Sequence, residues 1–522
     1  MSTATGERRA ARSASVRNVV VLVVSLCAIA LALVRLSAAS EGLHVERLTV
    51  GETPVTVFRG DHPARAGGGP VVVLAHGFAG SQQLMRPFAT TLARNGYTAV
   101  TFDLPGHGRN PAPLTGDITR VDGATRTLVT SLSQVAAAAR AWGTGPIAVL
   151  GHSMATDVIV RFAEETPDVA ATVAVSMFSP AVTAEAPRNL LVIVGDWEGT
   201  LKREALRAVS LVTAPEPAQP AVTYGDFAQG TARRAAFSAH VEHVGVLYSP
   251  DSMREAVTWL DSTFGIHRDA PLYLDARGPW ILLLIAGIVL CARPLTRLLP
   301  VVSRVPRGAG LGWRRLWLPV VLPAVATPLL LRVLPTHFLP VLVADYLAVH
   351  FATQGVLTLA CLRYAARGQH VERAAISPVR LAIAALGLTL YAVVALGAAM
   401  DLYVTSFVPI APRLPLLVAM VIGTSSFFLA DEWATRGPGA GRAASFATKV
   451  AFLLSLIIAV ALDAERLFFL LIIVPVIVAF FLVYGAFGAW AYRRTGHPFV
   501  GALASAIGFA WAIAVTFPMI AG

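Results

Sequence analysis

Lysine is nearly missing from this chain: Lys202 and Lys449 are the only two among 42 basic residues, so its positive charge is carried by arginine. Cysteine is scarce too. Cys27, Cys291 and Cys361 all sit in apolar runs and none falls between residues 41 and 268. That excludes a disulfide framework and leaves cysteine silent about the compartment. Charge as a whole is short. Charged residues make up 14% of the chain, against roughly 25% in a soluble protein. With 55% hydrophobic residues and a mean hydropathy of +0.64, this excludes a wholly soluble chain. The residue count, 522, leaves room for two or three domains.

The charge is unevenly spread. Residues 41–268 hold 18 basic and 21 acidic residues, a net of −3, so the whole formal excess of +11 lies in the apolar remainder and its loops. Nucleic-acid binding, which needs a basic patch on a soluble face, is not expected. The excess reads instead as a topology signal.

An apolar run from Val19 to Leu36 follows a start carrying Arg8, Arg9, Arg12 and Arg17. It has the layout of a signal peptide, with small residues at 37–40. Its length, about 18 residues, can also span a bilayer, and an uncleaved anchor is the preferred reading. After Pro279 the chain is almost wholly apolar. Spans are expected near 279–297, 316–334, 338–362, 378–400, 412–430, 446–463, 467–490 and 499–520, about nine in all with the first. The N-terminus and the loops at 293–315, 363–380, 436–449 and 493–494 hold 19 basic residues; the opposite side holds five, Arg35, Arg277, Arg332, Arg413 and Arg466. Basic residues stay cytoplasmic, so the N-terminus is expected inside and residues 41–268 outside. The expected domains are 1–40 (cytoplasmic start and anchor), 41–268, and 269–522 (about eight spans). Asp345, His350 and Gln354 stand inside one expected span, where polar groups are costly. Either a function there or plain hydrogen bonding between helices accounts for them.

Between 43 and 265 the pattern changes. VVVLAHG (71–77), YTAVTFD (97–103), PIAVLGHS (146–153), ATVAVSMF (171–178) and NLLVIVGD (189–196) read as buried strands. Amphipathic segments near 84–95, 124–142, 154–166, 200–212 and 251–264 read as helices. Continuous apolar strands alternating with helices mean a mainly parallel sheet covered on both faces.

Gly151-His152-Ser153-Met154-Ala155 lies between an expected strand and an expected helix, the context a nucleophile elbow requires. Ala155 replaces the usual last glycine. His76-Gly77-Phe78-Ala79-Gly80-Ser81 closes an earlier strand, and backbone N–H groups there can meet the negative charge that develops on a carbonyl oxygen. Phe78 and Met154 are the expected oxyanion pair. Asp103-Leu104-Pro105-Gly106-His107-Gly108-Arg109 reads as a structural loop with a solvated His107. A strand ends at Gly195-Asp196-Trp197-Glu198, where either Asp196 or Glu198 can orient a histidine. His243 is the preferred base over His240, three residues earlier. No cysteine or carboxylate cluster completes a metal site with these histidines, so neither metal nor cofactor is expected.

The order Ser153, acid, His243 separates this arrangement from chymotrypsin-like and subtilisin-like ones. Residues 43–266 resemble the α/β-hydrolase superfamily in its esterase, lipase and peptidase branch, on HGF, DxPGHG, GHSMA, GDWE and HVEHVGVL. The resemblance covers under half the chain. It implies an α/β-hydrolase fold joined to an all-α transmembrane domain, and an acid three residues after the strand-end glycine, which is Glu198. The dozen residues at 178–189 are too few for the large helical cap many members insert there. The implied activity is a membrane-bound serine hydrolase acting on an ester, with a lipid or cell-envelope acyl group as the candidate substrate and a peptide still open. Membrane lipids are expected partners; protein partners are undetermined. The rival readings are a transporter or sensor whose α/β domain binds ligand without catalysis, and an acyltransferase.

Overall fold

The computed structural model describes residues 2–61, 69–117, 120–365 and 375–521, with side chains from residue 15. Arg8, Arg9 and Arg12, by their side chains, and Arg367 and Arg373 lie outside that description.

Nine strands form one sheet: β1 (Leu43–Val50), β2 (Thr53–Gly60), β3 (Val71–Ala75), β4 (Thr98–Phe102), β5 (Ile147–His152), β6 (Val169–Val175), β7 (Leu190–Gly195), β8 (Thr223–Tyr224) and β9 (Arg233–Ser238). Their spatial order is β1-β2-β4-β3-β5-β6-β7-β9-β8. From β4 through β9 the pairings are parallel, while β1, β2 and β8 pair antiparallel at the two edges. The five strands expected from the sequence are β3 to β7. The hairpin β1–β2 and the strands β8 and β9 were not expected, because their residues alternate or carry charge instead of running apolar.

The two-residue period of a strand divides its side chains between two cores. Val71, Val73 and Ala75 face one core, with α3 (Arg126–Ala139), α4 (Met154–Glu165) and α5 (Gly199–Ser210). Val72 and Leu74 face the other, with α2 (Arg86–Arg94) and α6 (Pro250–Phe264). Both faces are therefore dry, which is why these strands are continuous in Val, Ile and Leu.

The other helices are α1 (Ser2–Ala38), α7 (Arg277–Leu295), α8 (Trp313–Leu331), α9 (Ala344–Ala365), α10 (Pro378–Leu390), α11 (Gly397–Tyr403), α12 (Leu414–Thr435), α13 (Ala444–Leu462), α14 (Ala464–Leu467), α15 (Phe469–Thr495) and α16 (Pro498–Thr516). A π-turn at Tyr391–Leu396 joins α10 to α11. Among the described residues, eight helical stretches are long and apolar enough to cross a membrane. The ninth expected span is α9, 22 residues long, whose Asp345, His350, Gln354 and Thr358 are buried within the bundle. Asp345 accepts from the N–H groups of Phe338 (2.9 Å), Leu339 (3.3 Å) and Tyr346 (2.9 Å), and His350 Nε2 lies 3.0 Å from the Ser455 hydroxyl. Of the two readings, these contacts answer to hydrogen bonding that holds loop and helices together. At the opposite helix ends, Arg436 pairs with Glu432, and Lys449 with Asp431.

The sheet domain sits on one end of the bundle through specific contacts. Arg413, 1% exposed, donates to the carbonyls of Ala514 (3.0 Å) and Phe517 (2.7 Å) at the end of α16, and to that of Gly106 (2.9 Å). Arg109 meets Asp401 at 2.7 Å. Leu114 and Ile520 form a short parallel bridge.

Candidate active site

Ser153 occupies the turn between β5 and α4 at φ 54°, ψ −119°. A residue other than glycine reaches such a backbone only under strain, and strain of this kind gathers at functional sites. The turn lifts the hydroxyl above the sheet at the N-terminus of α4, where the unpaired N–H groups of the first turn favour negative charge. Ala155 is fully buried, so the extra methyl in the motif is absorbed by the core. Gly77 lies against the turn: a Cβ there would come within 3.0 Å of Ser153 Cβ and 3.1 Å of the His152 ring. A side chain at 77 would therefore push the Phe78 backbone away from the serine. Of the expected oxyanion pair, Phe78 follows Gly77 and Met154 is the first residue of α4 after the serine; each is half-buried.

His243 comes from the loop after β9. Its Nε2 is 2.8 Å from Ser153 Oγ and its Nδ1 is 2.6 Å from Glu198 Oε1. A carboxylate only accepts, so Nδ1 carries the proton and Nε2 is left to accept from the serine hydroxyl. Glu198 is held by two further donors, the Ser176 hydroxyl (2.7 Å) and the Gly195 N–H (2.7 Å), both on Oε2. Burial pushes its carboxyl up, but the bonds from His243, Ser176 and Gly195 outweigh this and leave it below its ordinary value. A Cβ at Gly195 would come within 3.0 Å of Glu198 Oε2, so the glycine makes room for the carboxylate.

The two alternatives go elsewhere. Asp196 pairs with Lys202 at 2.7 Å on the surface. His240 is exposed, at a positive φ of 59° in the turn leading to His243.

Three further histidines surround the site, all fully or nearly buried. Burial pushes His152 and His107 down to about 3 and lowers His76 as well. His152 donates from Nε2 to the His243 carbonyl at 2.8 Å and so anchors the loop that carries the base. His76 donates from Nδ1 to the Gly77 carbonyl (2.8 Å) and accepts at Nε2 from the Leu104 N–H (3.1 Å). His107, expected in solvent, is instead 0% exposed; its loop is enclosed by Arg413 and Met519, and its ring stands edge-on to His76 and Phe78 at 5.4 and 6.1 Å. Ser176 was missed in the sequence. Its only sign there was its place at the end of the strand next to the elbow.

Large apolar side chains rim the site. Phe178, whose N–H donates to Thr156 Oγ1, is 65% exposed, and Trp197, next to Glu198, is 66% exposed. Val244, next to His243, is also exposed. On the bundle side the Phe78 ring lies 4.6 Å from that of Phe469.

Residues 70–254 match the family described as alpha/beta hydrolase fold. No curated protein matches the chain. Among solved structures, it is similar to a membrane phospholipase A described as a bacterial virulence factor, at 15% identity over 50% of this chain and 99% of that one, with a TM-score of 0.31. A putative lipase from Acinetobacter baumannii AYE matches at 14% identity over 44% and 96%, with a TM-score of 0.29. An epoxide hydrolase mutant from Vigna radiata matches at 24% identity over 27% of this chain and only 40% of that one, with a TM-score of 0.21. Residues 70–254 belong to the α/β-hydrolase fold family, carried in one chain with a helical bundle of membrane type.

Proposed function

We propose that the chain is a membrane-bound serine hydrolase that cleaves ester bonds in lipid-like substrates. The observation that carries this reading is the continuous relay from Ser153 Oγ through His243 to Glu198, at 2.8 and 2.6 Å. In the proposed reaction His243 Nε2 takes the serine proton as Oγ attacks the ester carbonyl. Glu198 holds the imidazole in the tautomer that can accept and stabilises the imidazolium that forms. The Phe78 and Met154 N–H groups receive the oxyanion. His243 then protonates the leaving alcohol, and water repeats the cycle in reverse to release the acid. The exposed Phe178, Trp197 and Val244 at the rim favour a substrate with an acyl chain. The arginine distribution supports an extracytoplasmic site close to the outer leaflet. The boundaries 1–40, 41–268 and 269–522 belong to the same proposal.

Fluorophosphonate labelling of membranes, followed by a panel of esters of increasing acyl length, tests it. Labelling at Ser153 with turnover rising toward longer chains is expected. A probe that fails to react with the folded protein overturns the enzyme reading in favour of ligand binding without catalysis.

A further inference from the structure

The bundle carries a second site at its other end, far from Ser153 in the chain's topology. Arg17 on α1, Arg293 and Arg297 at the end of α7, and Arg493 and Arg494 at the end of α15 line a single cavity of about 580 Å³ together with Trp490. No carboxylate lines it, and among the described residues none of the five arginines forms an ion pair with one. Elsewhere on the same end, basic side chains are neutralised: Arg436 by Glu432 and Lys449 by Asp431. The carboxyl ends of α7 and α15 bring only roughly half a negative charge each, against five guanidinium groups. The rule that basic residues stay cytoplasmic asks for arginines on this end. It does not ask that five from three separate helices converge on one cavity.

We propose that this cavity binds a phosphate-bearing anion, the headgroup of an anionic lipid in the leaflet opposite the hydrolase domain. Guanidinium groups donate in a planar fork that matches phosphate oxygens. The lipid source is favoured over a free phosphate by position. The cavity lies at the ends of apolar spans, beside Trp490, and next to Leu298, which is 81% exposed; tryptophan at this level marks the headgroup zone. Such a lipid would tie α1, the anchor that precedes the hydrolase domain, to α7, the helix that follows it.

Full-length protein in detergent micelles is titrated with short-chain phosphatidylglycerol, phosphatidylcholine and inorganic phosphate, with bound ligand counted by native mass spectrometry. Phosphatidylglycerol should bind with a clear preference over phosphatidylcholine. The exposed pair Arg297→Gln with Arg493→Gln should weaken it about thirtyfold, at the usual contribution of a basic residue to anionic-lipid binding. Arg304→Gln with Arg314→Gln removes the same charge from the same end but does not touch the cavity, and should change binding little. Arg297→Lys with Arg493→Lys keeps the charge without the planar fork and should bind between the parent and the glutamine pair, which separates lost charge from lost folding. Equal weakening in the two glutamine pairs, or no preference between the lipids, overturns the site. Inorganic phosphate binding as tightly as phosphatidylglycerol assigns it to a soluble phosphate and overturns the lipid.

Discussion

The aromatic ring of Phe78 packs on that of Phe469 at 4.6 Å, joining the loop beside the candidate nucleophile to the helical bundle. Three residues on, the same loop is fixed again: Ser81 Oγ accepts from the Ser406 N–H at 3.0 Å and lies 3.0 Å from Thr405 Oγ1. The bundle thus acts on the site through the backbone segment proposed to hold the oxyanion. An aromatic pair contributes about 0.5–1.5 kcal/mol beyond its burial. Phe469→Ala should therefore lower kcat for a small soluble ester by about threefold to tenfold, with KM little changed. Phe446→Ala, an exposed aromatic on α13, is the control. Unaltered kcat in Phe469→Ala would mean that the contact anchors the domain without shaping the site.

The relay itself predicts a hierarchy. Ser153→Ala and His243→Ala should leave only the residual 10³–10⁴-fold acceleration over water that binding and an oxyanion site supply. Glu198→Gln should lower kcat by on the order of 10⁴, because the wrong tautomer is then held. Asp196→Asn, which loses only a surface pairing with Lys202, should leave turnover intact. Ester kinetics on the four purified variants check this order. Full activity in Glu198→Gln together with loss in Asp196→Asn would reassign the acid.

Much of this arrangement was legible beforehand, for identifiable reasons. Ser153 and Glu198 stand just past the ends of β5 and β7, and β3 to β7 are apolar throughout, so strand position located these two; His243 follows β9, which was not expected, and was located by chain order and by the apolar run and last helix that follow it. What the sequence concealed depends on contacts between distant segments. Ser176 looks like any strand-end serine until Glu198 folds back onto it from 22 residues away. β9 begins with two arginines, yet Arg233 is fully buried because its guanidinium reaches the carbonyls of Pro187, Thr183 and Ala184. His107 reads as solvated because its burial is supplied by the far end of the chain, at Met519.

The buried histidines make stability depend on pH. His107 and His152 have ordinary values of 6.5 and are pushed down to about 3 by burial. The unfolded chain takes up their protons below about 6.5, whereas the folded chain does so only near 3. Stability from this source is complete above 6.5 and declines across that window as pH falls. His107→Asn removes one such group and should flatten the decline between pH 6 and pH 4, whatever its effect on stability at neutral pH. Thermal unfolding midpoints of both proteins across that range measure it. Parallel curves would show that His107 gains its proton without unfolding.

Asp401 and Arg109 form one pair but should not be equally important. Arg109 is partly exposed, and a pair of that kind contributes about 0–1 kcal/mol. Asp401 also accepts from the N–H groups of Phe407 (2.8 Å) and Val408 (3.2 Å), which order the turn between α11 and α12. That turn presents Thr405 and Ser406 to Ser81. Asp401→Ala should therefore destabilise the docked state clearly more than Arg109→Ala, seen as faster proteolysis of the loop at 404–410 in detergent. Equal protection in the two variants would place the strength of the contact in the ion pair.

Topology decides which lipids the candidate site can meet. The contacts described between the sheet domain and the bundle fall at one set of helix ends: Asp401 in the last turn of α11 and Thr405 after it, Arg413 before α12, Phe469 at the start of α15, and Met519 after α16. Arg304, Arg314, Arg436 and Arg493 lie in segments at the other ends. An arginine-rich end faces the cytoplasm, so the sheet domain should face away from it. Cysteine placed at the exposed positions Ser133→Cys and Arg304→Cys, in a background without Cys27, Cys291 and Cys361, reports this with a membrane-impermeant thiol reagent on intact cells. Residue 133 should react and residue 304 should react only after the membrane is opened. The reverse pattern would place Ser153 in the cytoplasm, remove envelope lipids from its candidate substrates, and move the arginine-lined cavity to the outer leaflet.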